Sequence, residues 1–151
     1  KILLEKLNRV VIRNVDQSMF ITMVYGMYNT SNNTFTYASA GHEPGFFYDA
    51  SKDKFEDLPT KGLVLGVSNK SSIREFERVL APGDMIILMS DGVSECRIEG
   101  NFIERNEITE LIHRLKHLPA QSIVENIYAE LAKLQDFKLE DDFTLFVIKK
   151  E

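Results

Sequence analysis

The chain has 151 residues, 44% hydrophobic and 27% charged, with a formal net charge of −5 and a pI near 5.3. That length and balance predict one globular domain, and the acidic balance argues against nucleic acid as the main partner, since phosphate binding calls for a basic face. A single cysteine, Cys96, excludes an internal disulfide, no apolar stretch approaches the about 20 residues of a membrane span, and no signal peptide is visible, so a cytoplasmic, membrane-free setting is expected.

The first residue is Lys1, not Met, and it already stands at the start of a helical pattern. The chain is therefore expected to be a piece of a longer protein. Leu3, Leu7, Val10 and Val11 share one face of residues 2–14, which predicts an amphipathic helix. Asn14 to Ser18 is a polar break. Phe20 to Tyr28 is apolar on both faces and reads as a central strand covered on two sides. Ser31-Asn32-Asn33 signals a turn, and Thr34 to Ala40 alternates as a hairpin partner. After Gly41 to Gly45, the runs Phe46-Phe47-Tyr48 and Phe55 flank a polar loop and predict a second hairpin. Lys61 to Gly66 is a glycine-punctuated loop, and Ile73 to Leu80 fits either an edge strand or a short helix, the strand being the favoured reading. Ala81-Pro82-Gly83-Asp84 turns into a strand over residues 85–90.

Helical spacing then returns. Ile108, Leu111, Ile112 and Leu115 predict a helix over 107–116. Pro119 suits the first turn of the next helix, whose apolar face is Ile123, Val124, Ile127, Leu131 and Leu134. A final strand is expected from Phe143 to Ile148. Strands and helices are segregated along the chain, which predicts an α+β fold with a mainly antiparallel sheet.

Two acidic strand ends carry the chemistry. Ser90-Asp91-Gly92-Val93-Ser94-Glu95 follows the apolar run Met85 to Met89, and Glu140-Asp141-Asp142-Phe143-Thr144 precedes Leu145 to Ile148. A carboxylate where a buried strand meets solvent must be hydrated, hydrogen-bonded or metal-bound. On neighbouring strands the two ends would make half of a site for a hard cation such as Mg²⁺ or Mn²⁺. Each motif also has a plainer reading, an Asx-type turn at Asp91 and a solvated acidic loop at Asp141-Asp142. Gly92 lets the backbone turn beside Asp91. As strand residues, Asp141 and Asp142 would point to opposite faces, so only one would meet Asp91.

The other candidates are weaker. Asp16, Asp49, Asp53, Asp57 and Asp136 sit in polar, loop-like surroundings and are expected on the surface. His42, His113 and His117 lack zinc-type spacing. Tyr37 stands where a nucleophile elbow around Ser39 would need its first glycine. Cys96 reads as an ordinary free thiol, and no phosphate-cradling or dinucleotide-type glycine pattern is present.

Phe35-Thr36-Tyr37-Ala38-Ser39-Ala40-Gly41-His42-Glu43-Pro44, Lys61-Gly62-Leu63-Val64-Leu65-Gly66, Gly83-Asp84-Met85 through Ser90-Asp91-Gly92-Val93-Ser94-Glu95, and Asp141-Asp142-Phe143-Thr144 follow one another along the chain. Together they resemble the SpoIIE-type branch of the PP2C (PPM) serine/threonine phosphatases. Asp16 to Thr22, Asn126 to Leu134 and Gln135-Asp136-Phe137 are similar to members that regulate a general stress sigma factor. The resemblance implies an αββα sandwich of antiparallel sheets flanked by helices. It also implies hydrolysis of phosphoserine or phosphothreonine by a water bridging two Mn²⁺ or Mg²⁺ ions, with no side-chain nucleophile. Asp91 and Asp141 match the family's metal ligands, Gly92 its turn beside the first ligand, and Asp142 a neighbour that supports the ligands.

The family's upstream acidic motifs, including the one supplying the carboxylate that bridges the metals, do not occur here. Residues 1–151 are thus expected to be the C-terminal portion of one phosphatase domain, inactive alone and prone to form a homo-oligomer. The implied substrate is a phosphorylated, RsbV-like anti-anti-sigma factor. The implied activator is RsbT-like and acts through an N-terminal domain outside this chain. The alternative is a PP2C-like docking module without catalysis, and a third reading is a paralogue that keeps the chemistry and changes the partner.

Overall fold

A computed structural model of the chain describes residues 1–16, 18–69, 72–98, 100–133 and 141–151. They form two compact units. One comprises Lys1–Pro44 with Leu58–Ala81, the other Gly45–Asp57 with Pro82–Glu151.

The first unit begins with helix α1 (Ile2–Asn14), within the bounds its apolar spacing predicts. Strands β1 (Met23–Asn29), β2 (Thr34–Ala40) and β5 (Glu75–Val79) make an antiparallel sheet in the order β1-β2-β5. Leu4, Ala38, Ala40, Leu65 and Ile73 are its buried core, with Leu7, Val11 and Met23 packed against them. Asn8 is a polar residue buried in this helix–sheet layer. Its amide donates to Ser68 C=O at 2.8 Å and accepts from Gly66 N–H at 2.9 Å, so both ends of the side chain hold one loop. A buried amide is tolerable only when satisfied in this way. Phe35, Tyr37 and Phe76 stack in series, with centroids 5.5 and 5.7 Å apart. The Tyr37 hydroxyl donates to Pro59 C=O at 2.9 Å, and burial pushes the phenol up to about 12.

Phe20 to Tyr28 does not form the doubly covered central strand that its apolar run predicts. Strand β1 begins only at Met23 and is an edge among the described residues, and Met27 is 55% exposed. An apolar run shows that a strand wants cover on both faces; it does not specify which segment provides it.

In the second unit, strands β3 (Phe46–Asp49), β4 (Lys54–Asp57), β6 (Met85–Met89) and β9 (Leu145–Lys149) make an antiparallel sheet in the order β4-β3-β6-β9. Helices α3 (Arg105–Leu115) and α4 (Ala120–Leu131) supply Ile108, Ile112, Ile123, Ile127 and Leu131 to the core around Met85, Ile87 and Met89. Glu104 and Glu107 close a reciprocal capping box at the start of α3. Pro119 caps α4 from just outside the helix rather than occupying its first turn. A short hairpin, β7 (Arg97–Ile98) with β8 (Asn101–Phe102), was not anticipated, because two-residue strands carry no readable period. The Lys149 ammonium donates to Lys116 C=O at 2.8 Å and Leu118 C=O at 2.7 Å, fastening β9 to the α3–α4 turn. The expectations for Leu134, Gln135-Asp136-Phe137 and Glu140 fall outside the described residues.

The turn of the β3–β4 hairpin is tied to the last turn of α3. Asp53 accepts from Lys116, from the Tyr48 hydroxyl at 2.5 Å, and faces His113 Nε2 at 2.9 Å. Asp53 is on the surface, as expected, but it is the hub of this cluster. Lys116, then Tyr48 and His113, hold its carboxyl well below the usual carboxylate range. Asp53 in turn raises the Lys116 ammonium. A depressed carboxyl adds stability that is fully present above its unfolded value, near 3.9, and is lost as pH falls through the lower folded value. The raised ammonium adds stability present below its unfolded value, near 10.4, and lost as pH rises through the folded one. Asp53→Asn is thus expected to lower the urea midpoint at neutral pH. The deficit against the native chain should shrink once pH falls below about 4. Parallel urea titrations from pH 7 to pH 2 measure this, and a pH-independent deficit contradicts it.

Candidate functional site

Strand β6 enters this region as Met85-Ile86-Ile87-Leu88-Met89 and pairs with β9 from Met85 opposite Lys149 to Met89 opposite Leu145. The pairing is antiparallel, so the C-terminal end of β6 and the N-terminal end of β9 lie at one end of the sheet. The two acidic segments singled out in the sequence leave from there. Four more hydrogen bonds continue beyond the last strand pair. Ser90 N–H donates to Thr144 C=O at 3.0 Å, and Thr144 N–H donates to Ser90 Oγ at 3.0 Å. Ser90 Oγ donates to Asp142 C=O at 2.8 Å. Val93 N–H donates to Ser90 C=O at 3.1 Å.

Asp91 opens a single helical turn, α2 (Asp91–Ser94). Its carbonyl accepts from Glu95 N–H at 2.7 Å and from the Ser94 hydroxyl at 3.0 Å. Its carboxylate oxygen Oδ1 accepts from Gly92 N–H at 3.1 Å. Asp141 repeats the arrangement, with Oδ1 accepting from Asp142 N–H at 2.7 Å. Each carboxylate is thus steadied by the amide that follows it, while the side chain itself stays exposed. Among the described residues no other partner reaches either carboxylate, and no three His, Cys, Asp or Glu side chains gather into a metal cage.

Two local expectations change. Strand β9 starts at Leu145, not at Phe143. Asp141, at a bend, and Asp142, in irregular backbone, lie ahead of it, so the alternation of strand faces does not decide which of them meets Asp91. Gly92 does stand in a turn beside Asp91, but it is absent from the glycines with positive φ. Its requirement is room: a Cβ there would come 2.4 Å from Asp142 O and 3.1 Å from Asp141 O. Glycine lets the two acidic segments approach at this point. Ser90 and Thr144, which hold the segments together, were not singled out from the sequence. The available signal was a hydroxyl residue between a buried strand and an Asp-Gly pair.

His42 belongs to the first unit and His117 follows α3 in the second. Thr22 Oγ1 lies 3.1 Å from His42 Nδ1 in the first unit. Cys96 is buried in the second unit's core, its thiol donating to Val93 C=O at 3.0 Å, and burial pushes that thiol up. Hard oxygen donors are therefore what this end of the sheet offers, the type that Mg²⁺ and Mn²⁺ prefer.

Gly92→Ala is expected to destabilise the protein by about 1–3 kcal/mol, the usual range for overpacking a tight contact. At this size that corresponds to a melting temperature lower by roughly 2–12 °C. Thermal unfolding checks it; an unchanged melting temperature would show that the segments separate without cost.

A family model, Stage II sporulation protein E (SpoIIE), matches residues 1–151. The chain is 54% identical over 148 residues to phosphoserine phosphatase RsbU of Bacillus subtilis (strain 168), covering 98% of this chain and 44% of RsbU. It spans less than half the length of that curated relative. Among solved structures, the SiaA-PP2C domain of Pseudomonas aeruginosa superposes with a TM-score of 0.80 at 16% identity, over 99% of this chain and 60% of that one. The RsbU and RsbW domains of a Mycobacterium tuberculosis protein give 0.73 at 23% identity, over 97% and 40%. RsbX in complex with magnesium gives 0.65 at 18% identity, over 96% and 61%. At these identities the structures establish the fold, an α+β arrangement of antiparallel sheets flanked by helices as found in PP2C domains. Matched over its whole length by the family model and sharing the PP2C fold, this chain belongs to the SpoIIE family.

Proposed function

We propose that this chain is the C-terminal portion of a PP2C-type phosphatase domain whose intact form hydrolyses phosphoserine on a protein. One observation carries the reading: two acidic segments about fifty residues apart in sequence are bonded to each other at one end of a sheet, through Ser90 and Asp142. Charged segments repel unless something between them repays their proximity, and a divalent cation does so. Asp91 and Asp141 would hold the Mn²⁺ or Mg²⁺. When bound, two such ions supply a nucleophile active near neutral pH and stabilise charge on the phosphoryl group.

This chain's own contribution is to bind and to orient. The Gly92 and Asp142 amides each fix one oxygen of the carboxylate before them. Asp142 supports the ligands through its backbone, its N–H steadying Asp141 and its C=O receiving Ser90. The further ligands that a two-ion site needs come, in this reading, from outside residues 1–151. The similarity to a phosphoserine phosphatase supports the chemistry. A solved neighbour that contains both RsbU and RsbW domains supports a place in a partner-switching circuit. In that circuit the substrate is a phosphorylated, RsbV-like anti-anti-sigma factor, and an RsbT-like activator acts through a part of the protein outside this chain. The outcome is release of a general stress sigma factor.

Purified residues 1–151 are expected to release no phosphate from a phosphoserine protein in Mn²⁺, whereas the full-length protein does. Asp91→Asn in the full-length protein should cost about 100-fold or more, the order lost with one preorganised electrostatic group. Metal-dependent turnover by residues 1–151 would refute the split-site reading. The same chain exposes Met19, Phe20 and Met27, and exposed apolar surface drives association. It is expected to be a homo-oligomer by light scattering at high concentration. A monomer throughout would contradict that.

A further inference from the structure

Opposed residues in a regular antiparallel pair exchange two main-chain hydrogen bonds or none. Met89 opposite Leu145 is the last pair of the β6–β9 ladder, which places Ser90 opposite Thr144 on the next rung. Only half of that rung is regular, the bond from Ser90 N–H to Thr144 C=O. The return bond from Thr144 N–H goes to Ser90 Oγ at 3.0 Å instead of to the Ser90 carbonyl. The released carbonyl accepts from Val93 N–H at 3.1 Å and so begins the turn that carries Asp91. The hydroxyl proton goes to Asp142 C=O at 2.8 Å. A serine hydroxyl has one donor and two acceptor positions, so it makes both bonds at once. Ser90 is also the residue before the helical turn, where serine ordinarily caps the helix with its side chain. Here the side chain makes no capping bond; its hydroxyl is engaged across the strand pair instead.

We propose that Ser90 is a positioning residue for the metal site. Its hydroxyl takes the place of its own carbonyl in the ladder, which turns Asp91 off the strand and holds the Asp141-Asp142 segment beside it. This inference rests on the phosphatase reading above. Alanine at this position supplies neither bond, leaving Thr144 N–H and Asp142 C=O without their partner. Threonine keeps the hydroxyl, and the extended backbone of Ser90, with φ −79° and ψ 163°, accommodates a β-branched side chain.

The test is Mn²⁺ binding to the full-length protein by calorimetry, with hydrogen exchange of the metal-free protein as a second readout. Ser90→Ala is expected to weaken Mn²⁺ binding by about 10–100-fold, the usual effect of removing a group that orients a ligand, and to accelerate exchange at the Thr144 amide. Ser90→Thr should restore both. Asp91→Asn separates the two ideas. If it abolishes binding while Ser90→Ala leaves affinity unchanged, the positioning role is wrong and the metal reading stands. If Asp91→Asn leaves binding intact, the metal reading fails and this inference with it. Equal protection of the Thr144 amide in Ser90→Ala and the native protein would overturn the ladder substitution whatever the affinities show.

Discussion

The pairing of β6 with β9 is the constraint on which the acidic region depends. Strand β6 is buried and apolar, and its register against β9 fixes where each chain leaves the sheet. A carboxylate is too costly to bury without a partner, so the acidic residues stand where the ladder stops. Because the pair is antiparallel, stopping at Met89 and Leu145 brings an end of one strand to a beginning of the other. Proximity of Asp91 to the Asp141-Asp142 segment is therefore a product of hydrophobic register, with two hydrogen-bonding residues and one glycine completing it.

The acidic residues of this chain fall into two physical kinds. Asp53 is compensated within the protein by an ammonium, a phenol and an imidazole, all of which meet one carboxylate oxygen. Its charge is consumed in joining a hairpin to a helix. Asp91 and Asp141 receive one backbone amide each on one oxygen and face outward. The contrast separates a carboxylate spent on structure from one left accessible at the surface, and it is made by neighbours rather than by residue type.

Much of this is legible in the sequence. The amphipathic spacing of residues 2–14, the hairpin partners and the helix carrying Ile108 and Ile112 all follow from periodicity, and the structure has them with small shifts of boundary. Both acidic ends of the candidate site were also visible, because charge beside an apolar run is a strong local pattern. What escaped depends on partners distant in sequence. The edge position of β1 depends on what lies beside it, and the Asp53 cluster joins residues 60 apart. At the late start of β9, the Thr144 amide is taken by the hydroxyl of Ser90, just beyond the end of β6. Gly92 was identified for its flexibility, but its function is to leave space for a segment whose approach no local pattern reveals.

Strand β9 is held at both ends, by Lys149 on the α3–α4 turn and by Ser90 at Thr144. A laddered strand cannot glide: its positions are discrete, and a slip of one residue would turn every side chain to the opposite face. Val147, packed against the core, resists such a slip. Longitudinal fine adjustment of β9 itself is thereby excluded. The strand behaves as a detent, seated or unseated, and anything that acts through it on the Asp141-Asp142 segment ahead of it acts in whole steps.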